Sequence, residues 1–186
     1  MRVESLDIPA VRLIVPRRFP DGRGWFAETY SRRALAGFGI ADDFVQDNHA
    51  YSGRRGTIRG LHFQLPPHAQ AKIVRVARGS IYDIAVDLRR GSPTYGGFVG
   101  AVLSAENGAQ LYIPAGFAHG LCTLEDDTEV LYKASDFYAP ALEGSIRWDD
   151  PDIGIPWPLE GGQPVIAARD AEAPTLAAFD SPFTHP

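Results

Sequence analysis

The sequence predicts one all-β domain over residues 1–186, a sandwich or barrel decorated by a few short helices. Three observations carry this. Nineteen glycines and fifteen prolines are spread along the whole chain, so uninterrupted runs suit strands of about five to eight residues and few long helices. Several of those runs alternate with period two and are rich in β-branched and aromatic side chains. No linker, low-complexity segment or fixed-period repeat divides the chain.

The strongest strand candidates are Lys72–Val76, Ser80–Asp87, Gln110–Ile113 and Glu129–Ala134. In Ser80–Asp87, Tyr82, Ile84 and Val86 share one face and Ile81, Asp83, Ala85 and Asp87 the other, the pattern of a half-buried strand. Ala77, Arg78 and Gly79 read as the turn between the first two candidates, with Gly79 free to take a positive φ. A short helix is expected over Ser31–Phe38 with Ser31 as N-cap, and a shorter turn near Ala171–Ala178.

Composition excludes several function classes. With 45% hydrophobic residues, 11% aromatics and a net charge of −5, the chain is neither disordered nor a basic nucleic-acid binder. A small anionic ligand held by a few arginines remains compatible with that charge. The single Cys122 forms no internal disulfide, and no CxxC pair offers a zinc or redox site. The first twenty residues hold Glu4, Asp7 and three prolines where a signal peptide needs an apolar run, and no stretch approaches the ~20 apolar residues of a membrane span. The expectation is a cytoplasmic protein with no nucleic-acid or membrane partner.

Two histidine stretches bear on function. Gly56 is followed after five residues by His62 and then by Gln64, Lys72 and Gly79; Gly108 leads to a Pro114-x-Gly116-x-x-His119 turn. These stretches resemble the two motifs of the cupin superfamily, which implies a jelly-roll β-sandwich or barrel. Metal cupins carry a second histidine and a glutamate in the first motif. Here Gln64 and Lys72 stand at those positions, and an ammonium has no lone pair to offer and repels a cation, so the expectation is no metal. Taken singly, either histidine reads more readily as a satisfied barrel-interior residue; two in matched motifs beside a lysine reverse that preference.

The departures resemble a narrower family, the dTDP-4-dehydrorhamnose 3,5-epimerases. The similar blocks are DGRGWFAE (21–28), FVQDNH (44–49), RGLHFQ (59–64), KIVRV (72–76), AVDLR (85–89), SPTYG (92–96), IPAGFAHG (113–120), LYK (131–133) and IRWDDP (146–151), in the family's order. The resemblance implies a thymidine-diphosphate 4-keto-6-deoxy sugar as substrate and epimerisation at C3 and C5 through enolates, with no cofactor. A ketone at C4 acidifies both neighbouring C–H bonds, so a base, an acid on the opposite face and a cation near the carbonyl oxygen suffice.

By the same resemblance His62 is the base, Asp170 its carboxylate partner, Tyr132 the proton donor and Lys72 the enolate-stabilising cation. Arg23 and Arg59 would contact the diphosphate, Phe26 would stack on thymine, and Glu28 would accept from the base N–H. Gln46, Asn48 and Tyr138 would complete the nucleotide site, and His119 would line the sugar pocket. Read without the family, Arg23 and Glu28 suit surface ion pairs, Phe26 and Tyr132 core packing, Asn48 a turn and Asp170 a helix start. The family also implies a homodimer in which Arg23 or Phe26 acts across the interface. Other readings of the same residues are a mono-epimerase at C3 or C5, a non-catalytic sugar-nucleotide binder, and a metal-dependent cupin, the last disfavoured by Gln64 and Lys72.

Overall fold

A computed structural model describes residues 1–185. Its strands are β1 (Arg2–Ser5), β2 (Arg12–Val15), β3 (Arg18–Asp21), β4 (Gly24–Ala27), β5 (Gln46–Ser52), β6 (Ile58–Gln64), β7 (Lys72–Arg78), β8 (Ser80–Asp87), β9 (Phe98–Ser104), β10 (Gln110–Ile113), β11 (Phe117–Thr123), β12 (Thr128–Ala134) and β13 (Glu143–Ser145). One sheet has the order β1-β2-β10-β7-β12-β5 and a second β13-β6-β11-β8-β9, with antiparallel neighbours throughout; β3 and β4 form a separate hairpin. The many strand-breaking glycines and prolines thus produce the expected all-β sandwich.

The inner faces of the two sheets make the main core. Val74 and Val76 of β7, Val130 of β12 and Leu111 of β10 meet Ile81 and Ala85 of β8, Leu103 of β9 and Leu121 of β11. Period-two alternation puts Lys72 on the same inward face as Val74 and Val76, at the end of the strand where the core gives way to a cavity.

Strand β8 differs from the half-buried strand expected. Ile81 and Ala85 face the inner core, while Ile84 and Val86 pack into a second cluster with Leu61, Phe63, Ile146, Ile153, Leu176 and Phe183. The C-terminal segment covers what alternation alone assigns to solvent, so β8 is buried on both sides. The β7–β8 turn is also tighter than predicted. Pairing with β12 continues through Arg78, and Gly79 alone carries the chain from the larger sheet into the smaller at φ +77°, where a Cβ would run into Thr128 Oγ1.

The predicted helix forms as α1 (Arg32–Ala36), with Ser31 Oγ accepting from Ala34 N at 3.4 Å, and buries Leu35. The turn expected near 171–178 resolves into a second short helix, α2 (Ala168–Ala171), and a single 3-10 turn at Leu176–Ala178. Among the described residues no helix is long and apolar enough to cross a membrane.

Candidate active site

His62 and His119 lie directly opposite each other on adjacent strands β6 and β11 of the smaller sheet. Lys72 and Tyr132 project from β7 and β12 of the facing sheet, Tyr132 opposite Val74 and Asn48. All four line one cavity of about 460 Å³, together with Arg59, Arg169 and Asp170. A second cavity of about 350 Å³ shares His62, Lys72, Tyr132 and Arg169 with the first and adds Gln46, Asn48, Tyr138 and Glu143. The two form one cleft between the sheets.

Asp170 reaches this cleft from the C-terminal segment. Val165 pairs with the start of β6 through Ile58 N to Val165 O and Val165 N to Gly56 O, both 2.9 Å, which leads α2 over His62. Asp170 is buried, and its Oδ1 accepts from His62 Nε2 at 2.8 Å while Oδ2 accepts from Gly60 N at 3.3 Å. Gly60 has φ +127°, and a Cβ there would stand 2.6 Å from His119 O, so only glycine lets β6 approach β11 this closely. The glycine of RGLHFQ therefore seats both the histidine and its carboxylate.

Burial works to raise the Asp170 carboxyl, but the His62 hydrogen bond, the Gly60 N–H and the Arg169 charge bring it below the usual carboxylate range. An ionised carboxylate only accepts, so Nε2 of His62 carries the proton and the Nδ1 lone pair is left as a base. Burial raises the Tyr132 phenol, with Glu143 adding to the effect and Arg59 and Arg169 opposing it; the hydroxyl keeps its proton at neutral pH. Lys72 is pushed down by burial to about 8, against the opposing charges of Asp83 and Glu143, and its Nζ lies 5.9 Å from the Tyr132 ring centroid. His119 is lowered by burial, which outweighs the Asp83 carboxylate at 2.8 Å from its Nε2, so it is a neutral imidazole.

The two positions where metal cupins carry further ligands hold groups that do not fit a cation. Gln64 donates to the carbonyls of His68 and Phe137 and accepts from Ala139 N, so its amide clamps two loops. Lys72 puts an ammonium in the cavity itself. Among the described residues no group of three His, Cys, Asp or Glu side chains could hold a metal ion.

The structure gathers His62, Asp170, Tyr132, Lys72, His119 and Arg59 around one cavity and Gln46, Asn48 and Tyr138 around its extension. Arg59 is at the rim, with Nε on Ser52 Oγ at 3.1 Å and Nη2 on Tyr51 O at 2.8 Å. Asn48 sits in β5 rather than in a turn, and Asp170 is the third residue of α2. Arg23, Phe26 and Glu28 are not brought to this cleft within the chain. Arg23 is a surface ion pair with Asp21 at 2.7 Å, Phe26 is 70% exposed on the β3–β4 hairpin, and Glu28 lines a separate hollow with Asp47, Arg75 and Lys133. The hairpin pairs with neither sheet and is tied instead to the β9–β10 connection, where Arg18 donates to the carbonyls of Ala105 and Glu106.

Sequence reasoning missed Asp83, Glu143 and Arg169. Asp83 stood in the pattern as one polar residue of an alternating strand; its inward placement follows from sharing a face with Ile81 and Ala85. Arg169 links Glu143, 3.3 Å from its Nη1, to Asp170, 3.4 Å from its Nε. Its position beside Asp170 in AARDAEAP was the available signal.

The family model described as dTDP-4-dehydrorhamnose 3,5-epimerase matches residues 5–178. A protein of that name from Pseudomonas aeruginosa is 49% identical over 97% of this chain and 98% of its own length, and one from Sinorhizobium fredii is 47% identical over 100% and 94%. The crystal structure of a dTDP-6-deoxy-D-glucose-3,5-epimerase from Legionella pneumophila, in complex with dTDP-4-keto-L-rhamnose, superposes with a TM-score of 0.91 at 42% identity, covering 96% of this chain and 94% of that one. The facing walls of the cleft and this similarity along the full length lead to one conclusion: the chain belongs to the dTDP-4-dehydrorhamnose 3,5-epimerase family.

Proposed function

We propose that these 186 residues act as a single domain that epimerises dTDP-4-dehydro-6-deoxy-D-glucose at C3 and C5 to dTDP-4-dehydro-L-rhamnose. The observation that carries this reading is the placement of an imidazole base and a protonated phenol on opposite sheets, facing each other across one cleft. Inversion at carbon needs that arrangement: a proton leaves from one face of the sugar ring and another arrives at the other.

His62 Nδ1 takes the proton from C5 or C3, and Asp170 holds the imidazolium that forms. The electron pair moves onto the C4 oxygen, where the Lys72 ammonium stabilises the enolate. Tyr132 then gives its phenolic proton to the same carbon from the other face. Imidazolium and phenolate are reset by proton exchange with solvent before the second centre is inverted. His119 donates Nε2–H to Asp83 and so presents a lone pair at Nδ1, which suits accepting a sugar hydroxyl. Arg59 and Arg169, at the rim of the cleft, provide the positive charge for the diphosphate.

The nucleotide end is completed by a second copy. Phe26 at 70% exposed, Trp25 at 55% and Arg23 on a hairpin outside both sheets favour a homodimer in which each hairpin serves the partner's cleft, Phe26 stacking on thymine and Glu28 meeting the base. Mixing an inactive Arg23→Ala, Phe26→Ala double variant with inactive His62→Ala then restores part of the activity; separate subunits would restore none. A buried, unpaired Cys122 suits the cytoplasm.

The test is incubation with dTDP-4-keto-6-deoxyglucose in deuterated water, read by proton NMR. Deuterium enters both C3 and C5. Label at one carbon alone would make the protein a mono-epimerase, and no label would make it a binder without catalysis.

A further inference from the structure

Asp83 is fully buried on the inward face of β8. Its Oδ1 accepts from His119 Nε2, while its Oδ2 is buried and has no hydrogen-bond partner among the described residues. Leaving a buried acceptor unsatisfied costs about 1–3 kcal/mol, more for a charged one, so such an oxygen persists only where something offsets it. Across the cleft Lys72 is in a related condition: its side chain is part-buried at the cavity wall, its ammonium makes no hydrogen bond among the described residues, and it feels Asp83 as the larger of two nearby negative charges, ahead of Glu143. The remaining charged or titratable groups around Lys72 are His62 from β6, His119 from β11, Tyr132 from β12, Arg59 from β6, and Arg169 and Asp170 from α2. Of these, only Asp170 is an acid, and it is already engaged by His62, Gly60 and Arg169.

We propose that Asp83 is a positioning residue for proton transfer: Oδ1 fixes the His119 ring, and Oδ2 is the buried counter-ion that keeps Lys72 an ammonium aimed at the substrate's carbonyl oxygen. The inference rests on the epimerase reading above. In the free protein the charge pair is held apart; the carbonyl oxygen, as it gains charge, supplies the acceptor that Lys72 lacks, and Asp83 prevents that ammonium from losing its proton beforehand. Glu143 acts on Lys72 more weakly than Asp83, and both its oxygens already accept hydrogen bonds, from Tyr138 and Arg169.

Lysine occurs twice in the chain, as Lys72 and Lys133. Nitrogen-15 NMR of labelled lysine therefore follows Lys72 directly, with Lys133, ion-paired to Asp47 at 2.8 Å, as an internal control. Asp83→Asn keeps the shape and the bond to His119 but removes the charge. Its Lys72 midpoint falls by a pH unit or more below the value near 8, Lys133 does not move, kcat drops at least tenfold with KM within threefold, and the alkaline fall in rate shifts to lower pH. Asp83→Glu restores the Lys72 midpoint and part of kcat. Should Asp83→Asn fail to fold, Asp83→Ser carries the same expectation. An unchanged Lys72 midpoint, or a loss confined to KM, overturns the proposal while deuterium exchange by the wild type leaves the epimerase reading intact. A wild type that exchanges no substrate hydrogen overturns both.

Discussion

The cleft holds two histidine–aspartate pairs of equal length that serve unlike ends. His62–Asp170 and His119–Asp83 both close at 2.8 Å through Nε2, on adjacent strands, with the two histidines facing each other. Asp83 comes from a neighbouring strand of the same sheet and is sealed from water. Asp170 comes from a segment more than a hundred residues away, laid over the sheet. The His62 side chain keeps 21% exposure against 10% for His119. Identical pair geometry therefore does not define a general base. In the reading proposed here, access for substrate and full engagement of the carboxylate do, and the pair closed by the C-terminal segment has both.

The sharpest way to break this comparison is to delete each ring in turn. If His62 is the base as proposed, His62→Ala lowers kcat by roughly 10³-fold or more, while His119→Ala lowers it by about 10- to 50-fold. Solvent-deuterium exchange by NMR measures both; equal losses would mean that both pairs move protons. Asp170→Asn is next in size. An amide in place of the carboxylate can donate to Nε2 and favour the wrong tautomer, so kcat falls by about 10²- to 10³-fold while KM changes little. A comparable loss in KM would assign Asp170 to substrate binding instead.

How much of this was legible in the sequence depends on how local the signal is. Period-two alternation around Lys72, Val74 and Val76 sufficed to put an ammonium on an apolar inner face, because strand geometry alone decides it. The burial of Ile84 and Val86 was not legible, since the cover is supplied by residues such as Ile153 and Phe183, far along the chain. Asp83 failed for a related reason: an acid in an alternating strand reads as a solvent-facing residue until the opposite sheet is known to carry its counter-charge. Arg23 and Phe26 were singled out through family resemblance, yet no single chain brings them to the cleft, because the surface they would meet belongs to another copy in the reading proposed here.

The smallest expected effect on activity concerns a third carboxylate, on the same face of β8 as Asp83. Asp87 is equally buried, but its oxygens accept from Arg89 N, Nε and Nη2, from Ser92 Oγ and from Thr94 Oγ1, at 2.6–2.9 Å. Burial works to raise its carboxyl, yet these bonds outweigh burial and bring it down to about 2, against 3.8 unperturbed. A folded value below the unfolded one means stability that is fully present above about 4 and is lost as pH falls toward 2. Asp87→Asn leaves the Arg89 guanidinium half-paired and costs roughly 2–4 kcal/mol at pH 7, read from urea unfolding, with kcat unchanged because Asp87 does not line the cleft. The difference between variant and wild type shrinks as the pH is lowered through 3. Four residues apart on one strand, Asp83 and Asp87 then separate two uses of a buried charge. The saturated carboxylate holds the fold, and the one with an open oxygen is the one proposed to act on the chemistry. A loss of kcat in Asp87→Asn matching that in Asp83→Asn would erase the distinction.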